Sequence, residues 1–378
     1  MGAWPRLLGV VALGLVLYWF GATSEVAWLF LIAIWIWALA LAGLGYALWN
    51  AAGLEVSLAL GEARAGPQGP RDLLSRRLWA GAPHPLLFEG DEVEVGVGLR
   101  SAGRGRGPAR LAGRVGGVEI SLARARVRGA EPEPSSVAVQ IVRGPLGAEP
   151  WRLQAFDPLG VIALRRARAG SELALGLPRF GRLKSPARSQ WMESAAPLLR
   201  AGAGTEVLAL REYRPGDHLR GIHWPQSAHR GDLVMREYEP PGLRLTGVFL
   251  DLAAGSASIE QGVRIAASET FECLEEGGRV VLWGPGLAPT GGSEGTQLWP
   301  LLERLARWPD RPAKGSRPPA VDDLILVLGT EPDPRLLEFG MAAARAGGRV
   351  RAWLVGQADE IRRESGIEFR PVGLEWPL

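Results

Sequence analysis

Residues 204–241 read GTEVLALREYRPGDHLRGIHWPQSAHRGDLVMREYEPP, and they divide the chain into two textures. Before them, short runs alternate apolar and polar residues with a period of two, which suits strands with one buried face. After them, continuous apolar runs alternate with stretches of helical spacing, the pattern of a parallel sheet covered on both sides. The block itself holds an Arg-Glu-Tyr triplet twice, at Arg211-Glu212-Tyr213 and Arg236-Glu237-Tyr238. Between the triplets lie Arg214, Asp217, Arg220, His223, Trp224, Ser227, His229, Arg230 and Asp232, and three of the four histidines of the chain fall here.

Local chemistry divides the block further. Glu206–Arg211 alternates and ends at Tyr213, as a strand would. Arg214-Pro215-Gly216-Asp217 is a turn, because proline presets φ and glycine accepts a positive one. Leu219–Trp224 reads as a second short run, Ser227–Asp232 as a second turn and Leu233–Tyr238 as a returning strand. Arginine and glutamate facing one another across such strands can form bidentate pairs. Two readings of the polar residues stand side by side. One is an ionic network that fixes an arrangement of loops; the other is a catalytic cleft with His223 as base, Asp217 as its orienting acid and Ser227 as nucleophile.

The block resembles the core motif of the DUF58 family. Arg211, Glu212, Tyr213, Pro215, Gly216, Asp217, Arg220, Ile222, His223, Trp224, Ser227 and Ala228 match its pattern, while His229 stands where the family carries arginine. Upstream, Arg143-Gly144 and Asp157-Pro158-Leu159-Gly160-Val161 are similar to a second element of that family. The resemblance implies a membrane-anchored protein with a von Willebrand factor A-like region, working with a MoxR-type AAA+ ATPase. It names no activity.

The first fifty residues carry their own signal. Leu7–Ala22 and Val26–Trp49 are apolar runs separated by Thr23-Ser24-Glu25, and the second contains no charged residue. About twenty apolar residues cross a bilayer, so residues 1–50 are expected to form a transmembrane helical hairpin. A cleaved signal peptide over residues 1–25 is the competing reading. Arg6 precedes the hairpin and Arg64, Arg71, Arg76 and Arg77 follow it, which by the positive-inside rule puts both ends on the cytoplasmic side of the inner membrane. The lone Cys273 excludes an internal disulfide framework.

Residues 51–180 are expected to form a β-sandwich, with runs at Leu54–Leu60, Asp91–Arg100, Val118–Leu122, Ser136–Val142, Trp151–Phe156 and Val161–Arg166, and with Trp79, Trp151 and Phe156 in the core. Arg100–Arg128 holds eight arginines against the single acid Glu119. That stretch suits either a solvated sheet face or attraction to an anionic membrane surface. It lacks the interleaved aromatics of a nucleic-acid platform.

Residues 181–242 form the motif segment, and residues 243–378 are expected to form the von Willebrand A-like α/β domain. Strands are expected at Leu245–Leu252, Arg279–Trp283, Asp323–Leu328 and Arg349–Val355, the last closing the sheet. Helices are expected at Ile259–Glu276, Leu298–Trp308 and Arg335–Ala346. Asp251, Gly284 and Thr330 fall at carboxyl ends of strands, where such sheets bind ligands. Asp251-Leu252-Ala253-Ala254-Gly255 lacks the serines of a von Willebrand A cation motif, with Ser256 and Ser258 one and three places late. Asp251 is therefore a weak Mg²⁺ ligand candidate.

No phosphate-binding loop or nucleophile elbow occurs in the sequence. The expectation is a non-enzymatic, membrane-anchored adaptor for a MoxR-like ATPase in complex assembly or envelope function. Arg211, Glu212, Tyr213, Gly216, Asp217, Arg220, His223, Trp224 and Ser227 would be its interaction motif. A hydrolase built on His223, Asp217 and Ser227, or a divalent-cation-dependent binder, are the alternatives.

Overall fold

A computed structural model describes residues 4–67, 69–79, 81–101, 105–128, 135–183, 207–212, 222–238, 245–252, 256–276, 278–293, 298–309, 321–329, 333–356 and 362–376. The chain forms two compact units, one of Met1–Gly69 with Pro85–Leu177, the other of Pro70–His84 with Pro178–Leu378.

The first unit begins with helices α1 (Trp4–Ser24) and α2 (Ala27–Ala52), joined at Glu25, whose φ of 55° makes the tight turn. Both are long and apolar enough to cross a membrane. Small residues bring them together: a Cβ on Gly14 would collide with Trp37, and one on Gly21 would press on Leu29. The Trp37 indole donates to the Val11 carbonyl at 3.4 Å, and Tyr18 meets the Phe30 ring edge-on at 5.1 Å. Their outward faces remain apolar and exposed, as at Leu15, Trp19, Trp35 and Leu41. Such surface is unfavourable in water and neutral in lipid.

Helix α2 runs almost directly into β1 (Leu54–Arg64), and its last turns are built into the strands that follow. Those strands are β2 (Leu87–Phe88), β3 (Glu92–Ser101), β4 (Ala109–Val115), β5 (Val118–Arg124), β6 (Ser135–Gln140), β7 (Gly144–Gly147), β8 (Trp151–Phe156), β9 (Ala163–Arg168) and β10 (Glu172–Leu177). They form three sheets in the orders β1-β3-β6, β2-β10-β7 and β5-β4-β8-β9, antiparallel except for β2 with β10. Alternation is cleanest in β3, where Val93, Val95 and Val97 are buried and Glu92 and Glu94 exposed. One core gathers these valines with Leu111, Leu122, Trp151 and Leu153.

The junction with α2 is polar and closed. Asn50 has no exposed surface; its amide donates to the carbonyls of Pro108 and Phe156, both at 3.0 Å, and its oxygen accepts from Gly107 N at 3.1 Å. Arg106 stacks on the Trp49 ring at 3.7 Å and donates to the Trp49 carbonyl, while Arg166 and Arg168 donate to the carbonyls of Ala51 and Leu54. The orphan carbonyls at the negative end of a helix dipole thus meet guanidinium groups.

The second unit contains the one-turn helix α3 (Arg76–Trp79), the ribbon of β11 (Val207–Glu212) and β12 (Val234–Tyr238) flanking α4 (Trp224–Arg230), and an α/β layer. Trp79 is 41% exposed rather than core, because its one-turn helix points the neighbouring Leu78 inward instead. The Trp299 indole holds that turn by donating to the Leu78 carbonyl at 2.9 Å.

The α/β layer comprises β13 (Leu245–Asp251), α5 (Ser256–Glu275), β14 (Arg279–Gly284), β15 (Leu287–Ser293), α6 (Leu298–Arg307), β16 (Asp323–Leu328), α7 (Pro334–Arg345), β17 (Arg349–Val355), β18 (Arg362–Glu364) and β19 (Ile367–Val372). The sheet order is β15-β14-β13-β16-β17-β19-β18, with the five central strands parallel and both edge strands antiparallel. Strand β17 is not the closing strand; two more follow it. Leu324, Leu326, Leu328, Val350, Ala352 and Leu354 face α7, packing with Leu336, Leu337 and Phe339. Period two turns the intervening residues to the other side, where α5 lies.

Candidate functional site

The described part of the motif is a strand, a capped helix and a second strand. Register pairs Arg211 with Met235 and Leu210 with Arg236, so the two Arg-Glu-Tyr triplets run three places out of step. Each of these arginines lies opposite an apolar residue rather than a glutamate. Tyr213, Gly216, Asp217 and Arg220 fall outside the described residues, as does the run expected from Leu219 up to Gly221.

The expected turn at Ser227–Asp232 is instead the end of helix α4 and its cap. His223 is the N-cap: its Nδ1 accepts from Gln226 N at 3.1 Å, which assigns the ring proton to Nε2. Pro225 supplies the fixed φ of a first turn, and Gly231 closes the helix at φ 80° with its amide donated to the Ser227 carbonyl. Ser227 is buried. Its hydroxyl donates to the His223 carbonyl at 3.0 Å and accepts from Val234 N at 2.9 Å, tying the helix to β12. The His223 amide donates to the Val234 carbonyl at 2.7 Å and completes the tie.

This is not the geometry of a nucleophile and its base. A serine poised for attack gives its proton to the imidazole, whereas Ser227 gives it to a main-chain carbonyl. What the arrangement leaves at the surface is Trp224, 63% exposed at the first turn of the helix.

Asp251 lies at the carboxyl end of β13, which is flanked by β14 on one side and β16 on the other, so the chain order reverses across it. Such a switch point is where open α/β sheets form a crevice. Burial pushes the Asp251 carboxyl above its ordinary range, and the charge of Asp333, the N-cap of α7, adds to the shift. Ser256 and Ser258 both belong to the first turn of α5. Among the described residues no three His, Cys, Asp or Glu side chains gather as a metal site.

A buried ionic cluster that no sequence pattern announced lies between the sheet and α5. Arg351 pairs with Glu269 at 2.9 Å, and the Trp353 indole donates to the same carboxylate oxygen at 2.9 Å. On the adjacent strand Glu368 pairs with Arg370, and also with Arg363 at 3.2 Å. Burial pushes the Glu368 carboxyl up, but the Arg370 hydrogen bond and the charges of Arg370, Arg351 and Arg363 outweigh it and hold the group below its usual range. Glu272 accepts from Leu183 N at 2.6 Å and Ser268 from Gly181 N at 3.0 Å, so α5 also clasps the chain leading into the motif.

A second feature belongs to the first unit. A cleft of about 540 Å³ is lined by Arg6, Arg110, Arg124, Phe156, Asp157 and Leu159, among others.

No protein-family model matches the chain, and no curated protein matches it either. The family resemblance therefore rests on the motif residues themselves.

Proposed function

We propose that the protein is a non-enzymatic adaptor of the inner membrane. Helices α1 and α2 are its two spans, and both soluble units face the cytoplasm, the side favoured by Arg6 and the arginines after residue 60. The observation that carries the adaptor reading is the division of labour in the motif. His223 Nδ1 and the Ser227 hydroxyl are spent on main-chain bonds, while Trp224 stands at the surface beside them. Exposed tryptophans on rigid supports are the kind of residue that dominates binding energy at interfaces.

The strand-rich unit reads as a β-sandwich and the α/β layer as a von Willebrand A-like domain. The partner suggested by the DUF58 resemblance is a MoxR-like AAA+ ATPase, in complex assembly or envelope function. The test is affinity capture of the full chain from native membranes, with and without nucleotide, beside Trp224→Ala, Asp217→Ala and Arg220→Ala. A specific ATPase retained by the parent chain and lost with Trp224→Ala supports the reading. Capture of no ATPase under either condition removes the partner.

A divalent-cation-dependent binder is the second reading, favoured by the Asp251 carboxyl under the charge of Asp333 at the switch point of the sheet. Calorimetric titration of Mg²⁺ into the chain and into Asp251→Ala decides it.

A further inference from the structure

We propose that the arginine-lined cleft of the first unit holds the phosphate of an anionic phospholipid from the bilayer around the hairpin. The inference rests on the membrane reading above and goes beyond it by naming a ligand and a place.

Depth is the first support. The apolar span of α1 covers Arg6–Ser24, 19 residues, or about 28 Å at a rise of about 1.5 Å per residue. That matches a hydrocarbon core of about 30 Å, so Arg6 falls where acyl chains give way to headgroups. Contacts along the hairpin put Gly43 of α2 at the same level. Val11 meets Trp37, and five residues back along α1 corresponds to five forward along α2, which reaches Ala42 beside Gly43. Gly43 in turn faces Ile162 and Asp157 of the loop after β8. The β unit thus reaches the headgroup layer through this loop.

Chemistry is the second. Arg6 donates to the Gly160 carbonyl at 3.3 Å and so joins α1 to the loop. Arg110 and Arg124 come from the adjacent strands β4 and β5. Together with Arg6 they border one cleft of about 540 Å³. The one carboxylate in its lining, Asp157, is buried and accepts from Leu159 N at 3.0 Å and Ile162 N at 2.7 Å. Its charge is turned toward the loop's amides. Planar guanidinium forks suit phosphate oxygens.

An apolar complement is the third. Leu159, at the tip of the same loop, is 65% exposed. At this depth it meets the upper acyl chains rather than water. One residue after Arg6, Leu7 begins a groove of about 350 Å³ shared with Val11, Trp37 and Leu41, with a wholly apolar lining. The Arg6–Leu7 step therefore belongs to both a basic cleft and an acyl-sized furrow, as a headgroup and its chain require. A free phosphate would use only the first.

The test is native mass spectrometry of the full chain in detergent, titrated with equal phosphatidylglycerol and phosphatidylcholine. Retention of phosphatidylglycerol in preference is expected. The preference should fall by about twenty-five-fold in Arg110→Gln/Arg124→Gln, since each cation near a membrane surface contributes about a fivefold factor. Arg6→Gln, outside the strands, should lower it without touching the β fold. The pair Arg304→Gln/Arg335→Gln, which removes equal charge elsewhere, should leave it unchanged. Equal retention of both lipids, or an equal loss in the control pair, overturns the proposal. Displacement of the lipid by inorganic phosphate at equal concentration assigns the cleft to a free anion and overturns it as well. Carbonate extraction of cell membranes is run in parallel. If the chain stays in the pellet, a failed lipid preference counts against the cleft alone; if it is released, the membrane reading itself falls.

Discussion

Arg351 and Glu269 form an ion pair at 2.9 Å with relative exposures of 1% and 0%, and Trp353 donates to the same carboxylate. Two charges so far from water compensate one another, and removing either leaves the other buried without this partner. Glu269→Ala is expected to cost about 3–5 kcal/mol, the range for breaking one side of a buried pair. Replacing both together, as Glu269→Leu with Arg351→Met, should cost much less, because the desolvation penalty disappears with the attraction. Chemical denaturation of the full chain in detergent measures both. A double variant as unstable as Glu269→Ala would mean that the pair contributes more than mutual compensation.

The Asp251 carboxyl, raised by burial and by Asp333, sets a pH dependence of known sign. Its folded pKa lies above the unfolded value, so the folded state binds the extra proton between the two. Stability from this group is therefore present below the unfolded pKa and lost as pH rises through the folded one. At neutral pH the cost of the charge is fully expressed. Asp251→Asn is expected to melt higher than the parent at pH 7, with the difference vanishing as the pH falls below the unfolded value. A lower melting temperature for Asp251→Asn at pH 7 would show that the carboxylate is held by a favourable partner, a bound cation included.

The cap formed by His223 and Ser227 separates structure from catalysis. Ser227→Ala removes a bridge between a carbonyl and the buried Val234 amide, and stranding such a donor costs about 1–3 kcal/mol. His223→Asn replaces one N-cap acceptor with another, so it should cost only a few tenths of a kcal/mol, whereas His223→Ala should cost about 1 kcal/mol. Thermal melts give the order. Partner capture retained by His223→Asn would place the role of His223 in the cap, and selective loss would place it in the imidazole.

Elements with a strong period were legible before any coordinates. Asp323–Leu328, Arg349–Val355 and Trp151–Phe156 are strands over the ranges that alternation or continuous apolarity marks out. The α4 helix was missed because Arg230-Gly231-Asp232 reads as a turn, although Pro225 and Gly231 are also a helix's start and stop signals. Strand β19 was missed for a different reason. Its sequence, Ile367-Glu368-Phe369-Arg370, alternates like a surface strand, yet both charged residues are buried against Arg351 and Trp353 across the register. The cluster's members lie far apart in sequence, at 269, 351–353 and 368–370, and only the sheet order assembles them. Composition announces the arginines around the cleft but not that Arg6 joins them, which depends on the hairpin folding back to place Arg6 beside Gly160.

Asn50 decides whether the hairpin is a strut or a tether. Three hydrogen bonds tie its amide to Gly107, Pro108 and Phe156 from a position with no exposure, and Arg106 is stacked on Trp49 beside it. Asn50→Leu keeps the volume but takes the Asn50 partner from the Gly107 amide and the Phe156 carbonyl, at about 1–3 kcal/mol for each group left without a partner, while the Pro108 carbonyl still accepts from Phe156 N at 2.9 Å. Asn50→Asp keeps the acceptor but turns a second carboxylate oxygen toward two carbonyls at a position with no exposure, so it should cost at least as much. If the junction is a strut, both variants loosen the α2 terminus from β4 and β8, and trypsin cuts faster at Arg106 in both than in the parent. The membrane fraction should not change, since the apolar spans are untouched. Equal cleavage in all three would mean that the apolar contacts of Ala47 and Ala51 hold the joint unaided, and that the buried amide contributes nothing to its stiffness.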